Sequence, residues 1–98
     1  MSGRHRILVS YDIRDPARLR RIHQIMMGFG DPLQYSVFVC ELSGTERILM
    51  EEALLKAATL SEDSIALVDL GPASGVARHR IETLGRGYLP PFERYRIV

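Results

Sequence analysis

Residues 5 to 13, His-Arg-Ile-Leu-Val-Ser-Tyr-Asp-Ile, are β-branched, aromatic and aliphatic, with little polar alternation until Asp12. Such a run suits a strand covered on both faces, because a strand with one wet face alternates apolar and polar residues. It reads as the central strand of the fold. The next segment begins the cover. Asp15-Pro16 is a helix start, with Asp as the N-cap that takes an end amide and Pro at the first helical position, where a missing N–H leaves no bond unmade. Leu19, Ile22, Met26 and Phe29 follow at helical spacing, and Gly28 and Gly30 stop the helix.

Gln34 to Leu42 reads as one strand, and Ser43-Gly44-Thr45-Glu46 is a capping box that opens a second helix running to about Leu60. Residues 64 to 70 form another apolar strand, broken by Gly71-Pro72, and Val76 to Leu84 read as a strand carrying Arg78, Arg80 and Glu82 on one face. After Gly85-Arg86-Gly87 and Pro90-Pro91, residues 92 to 98 return to strand-like composition. A terminal strand beyond an already complete small sheet must dock on an exposed edge, its own or that of a symmetry mate. The chain has 98 residues, too few for two cores, so residues 1 to 98 are expected to form a single domain.

Several classes fall away. Apolar residues make up 46% and charged residues 26%, which excludes disordered and low-complexity chains. No apolar run is long enough to span a bilayer and no signal segment precedes the first strand, so the expected setting is the cytoplasm, without a membrane partner. The one cysteine, Cys40, has no second Cys with which to form a disulfide or a zinc motif and reads as a small buried apolar residue. His5, His23 and His79 form no metal-binding spacing, and phosphate loops and nucleophile elbows are absent.

The charge is unevenly spread. Residues 1 to 30 carry a net +4, 31 to 70 a net −6 and 71 to 98 a net +3, and 12 of the 13 bases are Arg, whose planar fork suits phosphate. Asp12 stands where the apolar strand runs out, with Arg14, Arg18 and Arg21 close behind. An acid beside an arginine fringe is a plausible phosphodiester site, and hard Mg²⁺ takes carboxylate oxygen. A lone Asp needs help to hold such an ion, and a second Asp12 from a two-fold mate would supply it. Read from the residues alone, the favoured reading makes Asp12 a turn-capping carboxylate and the arginines a solvated face.

Val9-Ser10-Tyr11-Asp12-Ile13, the helix segment Arg18-Leu19-Arg20-Arg21, Phe29-Gly30 followed by Gln34-Tyr35-Ser36-Val37-Phe38, and the Asp63-Ser64-Ile65 strand followed by a basic strand and a Gly together resemble the CRISPR-associated protein two family, in order over residues 5 to 98. The resemblance implies an α+β fold, a ferredoxin-like βαββαβ sandwich with an extra C-terminal strand at about 92 to 98, assembled as a homodimer. It implies that residues 31 to 42 reverse direction near Tyr35-Ser36 instead of forming one strand. It further implies a metal-dependent endonuclease acting on RNA or double-stranded DNA, with Asp12 as the metal ligand (Mg²⁺, or Mn²⁺ in its place) and Ser36 and Phe38 beside it on the neighbouring strand. Arg14, Arg18 and Arg21 are the implied phosphate contacts, and Arg78 and Arg80 further points along a DNA track. The implied partners are DNA or RNA and two dimers of the CRISPR integrase in the heterohexameric complex that acquires new spacers. In the competing reading the protein is a non-catalytic DNA-binding scaffold and Asp12 is structural. Pro32-Leu33 stand where several relatives carry a basic residue.

Overall fold

The structure, a computed structural model, describes residues 3–74 and 80–85 together with the backbone of 96 and 97. Strand β1 (His5–Asp12) is followed by helix α1 (Pro16–Met27), strands β2 (Gly30–Gln34) and β3 (Val37–Leu42), helix α2 (Gly44–Ala57) and strand β4 (Ser64–Pro72). The four strands form one sheet in the order β2-β3-β1-β4, antiparallel throughout. This is the ferredoxin-like βαββαβ arrangement, with β1 in the interior of the sheet as its composition required. Two further strands, β5 (Glu82–Thr83) and β6 (Arg96–Ile97), pair in parallel with each other within the chain. The expected strand from Val76 is described only from Arg80 onward, and of the expected terminal strand only Arg96 and Ile97 are described.

Local chemistry accounts for the element ends. The Asp15 carboxylate accepts from the Arg18 amide at 2.9 Å and Pro16 opens α1. Ser43 and Glu46 cap α2 reciprocally, the Ser43 amide donating to Glu46 at 2.8 Å and the Glu46 amide to the Ser43 hydroxyl at 3.1 Å. Helix α2 ends at Ala57, three residues before Leu60, because the chain from Thr59 winds into a turn held by Asp63. The reversal between β2 and β3 falls at Tyr35-Ser36, and the Tyr11 amide donates to the Ser36 carbonyl at 3.0 Å. Gly30 ends nothing and is part of β2. A Cβ there would lie 2.5 Å from both Cys40 Sγ and the Val39 carbonyl oxygen, so the close pass of β2 over β3 needs a residue without one.

The two helices cover one face of the sheet. Ile7, Val9, Tyr11 and Ile13 pack there with Phe38, Cys40 and Leu42, beneath Ile22 and Met26 of α1 and Met50 and Leu54 of α2. On the opposite face Leu33, Val39 and Ile81 form a smaller cluster with Leu8, Val37 and Leu70. β1 is thus covered on both sides over its middle, and its cover on the second face stops before Asp12, which is exposed.

Candidate nucleic-acid and metal site

Side chains alternate along β1, so Tyr11 points into the helix-side core while Asp12, Ser10 and Leu8 share the other face. Directly paired residues of an antiparallel ladder share a face, and the register pairs Asp12 with Ser64 and Ser10 with both Val37 and Ala66. The surroundings of Asp12 on its strand layer are therefore hydroxyls and small apolar groups. Among the described residues its carboxylate makes no hydrogen bond or ion pair. A turn-capping role would have left such a bond, and that role belongs instead to Asp15 and Asp63.

The arginines divide into two sets. Arg4 is paired with Glu46, Arg6 with Glu41, and Arg47 with Glu51 at 2.7 Å. Arg18 turns back across the β1–α1 loop: its Nε donates to Asp63 at 2.9 Å, and its Nη2 donates to Glu62 at 2.8 Å and to Asp63 at 3.1 Å. These bonds hold the Asp63 carboxyl well below the usual carboxylate range and raise Arg18 above its ordinary value. The exposed side chains of Arg14, Arg20 and Arg21 have no ion pair among the described residues. A guanidinium without an internal carboxylate is the one available to an incoming phosphate. Arg20 was not singled out in the sequence; its exposure and its lack of a partner put it beside Arg14 and Arg21.

The remaining sequence candidates are placed as follows. Ser36 sits in the β2–β3 turn, joined to Tyr11 through its carbonyl. Phe38 pairs with Val9 and is 0% exposed on the helix side, its ring 6.2 Å from that of Tyr11 and 5.3 Å from that of His23. It lies across the sheet from Asp12, and a side chain with no exposed surface cannot touch a phosphate on the opposite face. Arg80 donates to the Leu70 carbonyl at 2.9 Å beside the second-face cluster, away from α1. Arg78 lies outside the described residues. Cys40 is buried and burial pushes its thiol up to about 12, so it is neutral and unsuited to nucleophilic chemistry.

A metal fits this site only in part. Asp12 offers the hard oxygen that Mg²⁺ prefers, with the Ser10 and Ser64 positions on the same face, yet the described residues hold no group of three metal-ligating side chains. Among the described residues, one chain supplies one carboxylate at this site. The donor chemistry is right, and one carboxylate is the low end of the one or two through which Mg²⁺ is commonly held, with water and phosphate filling the remaining positions.

The model of the family described as CRISPR associated protein Cas2 matches residues 5–74. The chain belongs to the Cas2 family. The match spans β1 to β4, the whole four-stranded sheet with both helices. A protein of Geobacter sulfurreducens named CRISPR-associated endoribonuclease Cas2 is 39% identical over 96% of this chain and 98% of its own. One of Rhodospirillum rubrum, named CRISPR-associated endoribonuclease Cas2 1, is 38% identical over 89% of this chain and 84% of its own. Among solved structures, Streptococcus pyogenes Cas2 superposes with a TM-score of 0.70 at 33% identity, covering 82% of this chain and 99% of that one. A hypothetical protein of Thermus thermophilus superposes with a TM-score of 0.74 at 26% identity, covering 89% of this chain and 98% of that one. The ferredoxin-like fold implied by the sequence resemblance is that of these solved structures, Streptococcus pyogenes Cas2 among them. No described helix is long and apolar enough to cross a membrane.

Proposed function

We propose that the protein is a Cas2 nuclease that works as a homodimer in CRISPR spacer acquisition, binding RNA or DNA through α1 arginines and cleaving phosphodiesters with Asp12 as the metal ligand. The observation that carries this reading is the state of Asp12: an exposed carboxylate with no internal partner, ending an otherwise apolar strand within a few residues of unpaired arginines. The endoribonuclease names of the Geobacter and Rhodospirillum relatives support the reaction class.

The two Asp12 carboxylates of a dimer would hold the Mg²⁺ or Mn²⁺, which when bound supplies charge stabilisation at phosphorus and a more acidic water. Arg14 and Arg21, with Arg20, bind and orient the phosphate backbone by forked hydrogen bonds. Ser36 stays close to the site by its carbonyl bond to Tyr11, whereas Phe38 acts from beneath, packing Tyr11 and through it the strand that presents Asp12. Arg80, and Arg78 by the family resemblance, remain candidates for a DNA track. The integrase is the partner for which the dimer would align prespacer DNA.

The scaffold reading draws on the same single carboxylate, since one acid per chain is a sparse hydrolytic site. Asp12→Ala separates the two. The nuclease reading expects cleavage of single-stranded RNA or duplex DNA in Mg²⁺ or Mn²⁺ to fall by about a hundredfold or more, with sedimentation still showing a dimer. Parent-level cleavage by the variant refutes Asp12 as ligand. Lost cleavage with unimpaired spacer integration assigns the adaptation role to the scaffold. A monomeric parent refutes the shared site.

A further inference from the structure

The β1–β4 ladder ends on the pair Asp12 and Ser64. One residue before Ser64, the Asp63 side chain is 0% exposed, and two residues after Asp12 the Arg14 amide donates to Asp63 Oδ1 at 3.0 Å. The carboxylate thus does what the next backbone carbonyl of β4 would do, extending the grip on β1 past the last paired residue. It also accepts from the Thr59 amide at 2.8 Å and from Arg18 at 2.9 and 3.1 Å. Two loops distant in sequence, residues 13 to 15 and 59 to 63, are joined through this one buried group. A carboxylate with both oxygens engaged by four donors is held in one place, and so is the backbone it holds.

The same bonds remove Arg18 from the arginine fringe. Its guanidinium faces two carboxylates, Asp63 and Glu62, while Arg14, Arg20 and Arg21 face none among the described residues. A phosphate competing for Arg18 would leave the buried Asp63 without its counter-ion, a state far costlier than leaving Arg18 where it is.

We infer that Asp63 is the positioning residue of the site: it fixes the segment that presents Asp12 and Arg14 and keeps Arg18 out of the nucleic-acid contacts. The inference rests on the nuclease reading for its kinetic consequence alone. A residue acting only on stability would lower the folded fraction and leave the folded protein's kinetics and salt response unchanged. Asp63 acts on both. In Asp63→Asn, kcat on a single-stranded RNA oligonucleotide in Mn²⁺ falls by about tenfold to a hundredfold while KM does not rise, because the segment loosens and Arg18 is released toward the substrate. Binding of a DNA duplex then depends more steeply on salt, by about one unit in the log–log slope, and Arg18→Ala in the parent background leaves that slope unchanged.

An undiminished kcat in folded Asp63→Asn overturns the positioning role, and a slope flattened by about one unit in Arg18→Ala overturns the withholding of Arg18. Hydrogen exchange on the unaltered protein decides the case should Asp63→Asn fail to fold. The Arg14 amide is expected to exchange far more slowly than a solvated loop amide, and exchange at the loop rate overturns the proposal. A parent that binds duplex and cleaves nothing refutes the nuclease reading instead, and the salt and exchange measurements then decide the Asp63 assignment without it.

Discussion

Replacing Phe38 tests whether a residue near Asp12 in the fold acts on substrate or only on packing. Phe38 is 0% exposed and makes ring contacts at 6.2 Å with Tyr11 and 5.3 Å with His23. Phe38→Leu keeps most of the apolar volume, at a repacking cost of about 1 kcal/mol, and loses ring contacts that add about 1 kcal/mol more. For a domain of this length about 2 kcal/mol corresponds to a fall of roughly 8–16 °C in Tm. Phe38→Ala would cost about 3–5 kcal/mol, a large share of the roughly 5–15 kcal/mol that holds such a domain together, and its inactivity would say nothing about chemistry. The informative measurement is therefore Phe38→Leu: Tm by circular dichroism, then cleavage of single-stranded RNA in Mn²⁺ and duplex binding, all at a temperature where the variant is folded. Both activities are expected within about threefold of the parent, a change of about 0.6–0.7 kcal/mol. Cooperative unfolding with cleavage down tenfold or more would mean that the ring does more than support Tyr11, and the packing account would fail.

Two further outcomes follow from local geometry. Gly30→Ala should destabilise by about 1–3 kcal/mol in urea unfolding, because its Cβ would meet Cys40 Sγ and the Val39 carbonyl, each at 2.5 Å. Adding Cys40→Ala should restore only part of the loss, since the Val39 oxygen is backbone; a neutral Gly30→Ala refutes the close approach. The depressed Asp63 carboxyl stays charged in the fold at a pH where the unfolded chain, near 3.8, takes up a proton. Its stabilising contribution is therefore complete above that value and is lost as acid carries the pH below about 4 toward the folded value. Unfolding midpoints measured from pH 7 down to pH 2 should fall less steeply for Asp63→Asn than for the parent, and parallel curves would exclude the linkage.

The strand–helix–strand frame was legible because each boundary has a short-range cause. Asp15-Pro16 and Ser43 with Glu46 announce their helices, and the uniform apolar run at residues 7 to 9 announces a strand in the sheet interior. The two strands between the helices were not separable by composition, since the turn at Tyr35-Ser36 contains neither Gly nor Pro and apolar residues continue past it. Asp12 was legible as an acid closing an apolar strand. Phe38 was misplaced beside it for a reason inherent in strands: neighbours in space on adjacent strands share a site only when they share a face, and Phe38 is paired with Val9, an odd number of residues from Asp12. Arg18 could not be told from Arg20 or Arg21, because what distinguishes it is a carboxylate 45 residues away in sequence. Asp63 stood out only as part of the Asp63-Ser64-Ile65 segment, with no role of its own.

Tyr11 and Asp12 show how closely the core and the proposed site are coupled. The two are adjacent and point to opposite faces, so whatever holds Tyr11 among Phe38 and the helices also fixes the direction of Asp12. The face that Asp12 shares is uneven, with Leu8, Leu33, Val39, Leu70 and Ile81 in an apolar cluster whose edge is Val37, paired with Ser10, and with Asp12 and Ser64 beyond that edge. On the proposed homodimeric reading, two carboxylates brought together across an axis repel. A divalent ion reverses the sign of that interaction. Assembly and metal binding would then share one free energy: whatever draws the subunits together improves the metal site, and the metal favours the assembled state by the same factor. On that reading, a chain with one acid at its site would obtain by pairing what a monomeric nuclease builds from several.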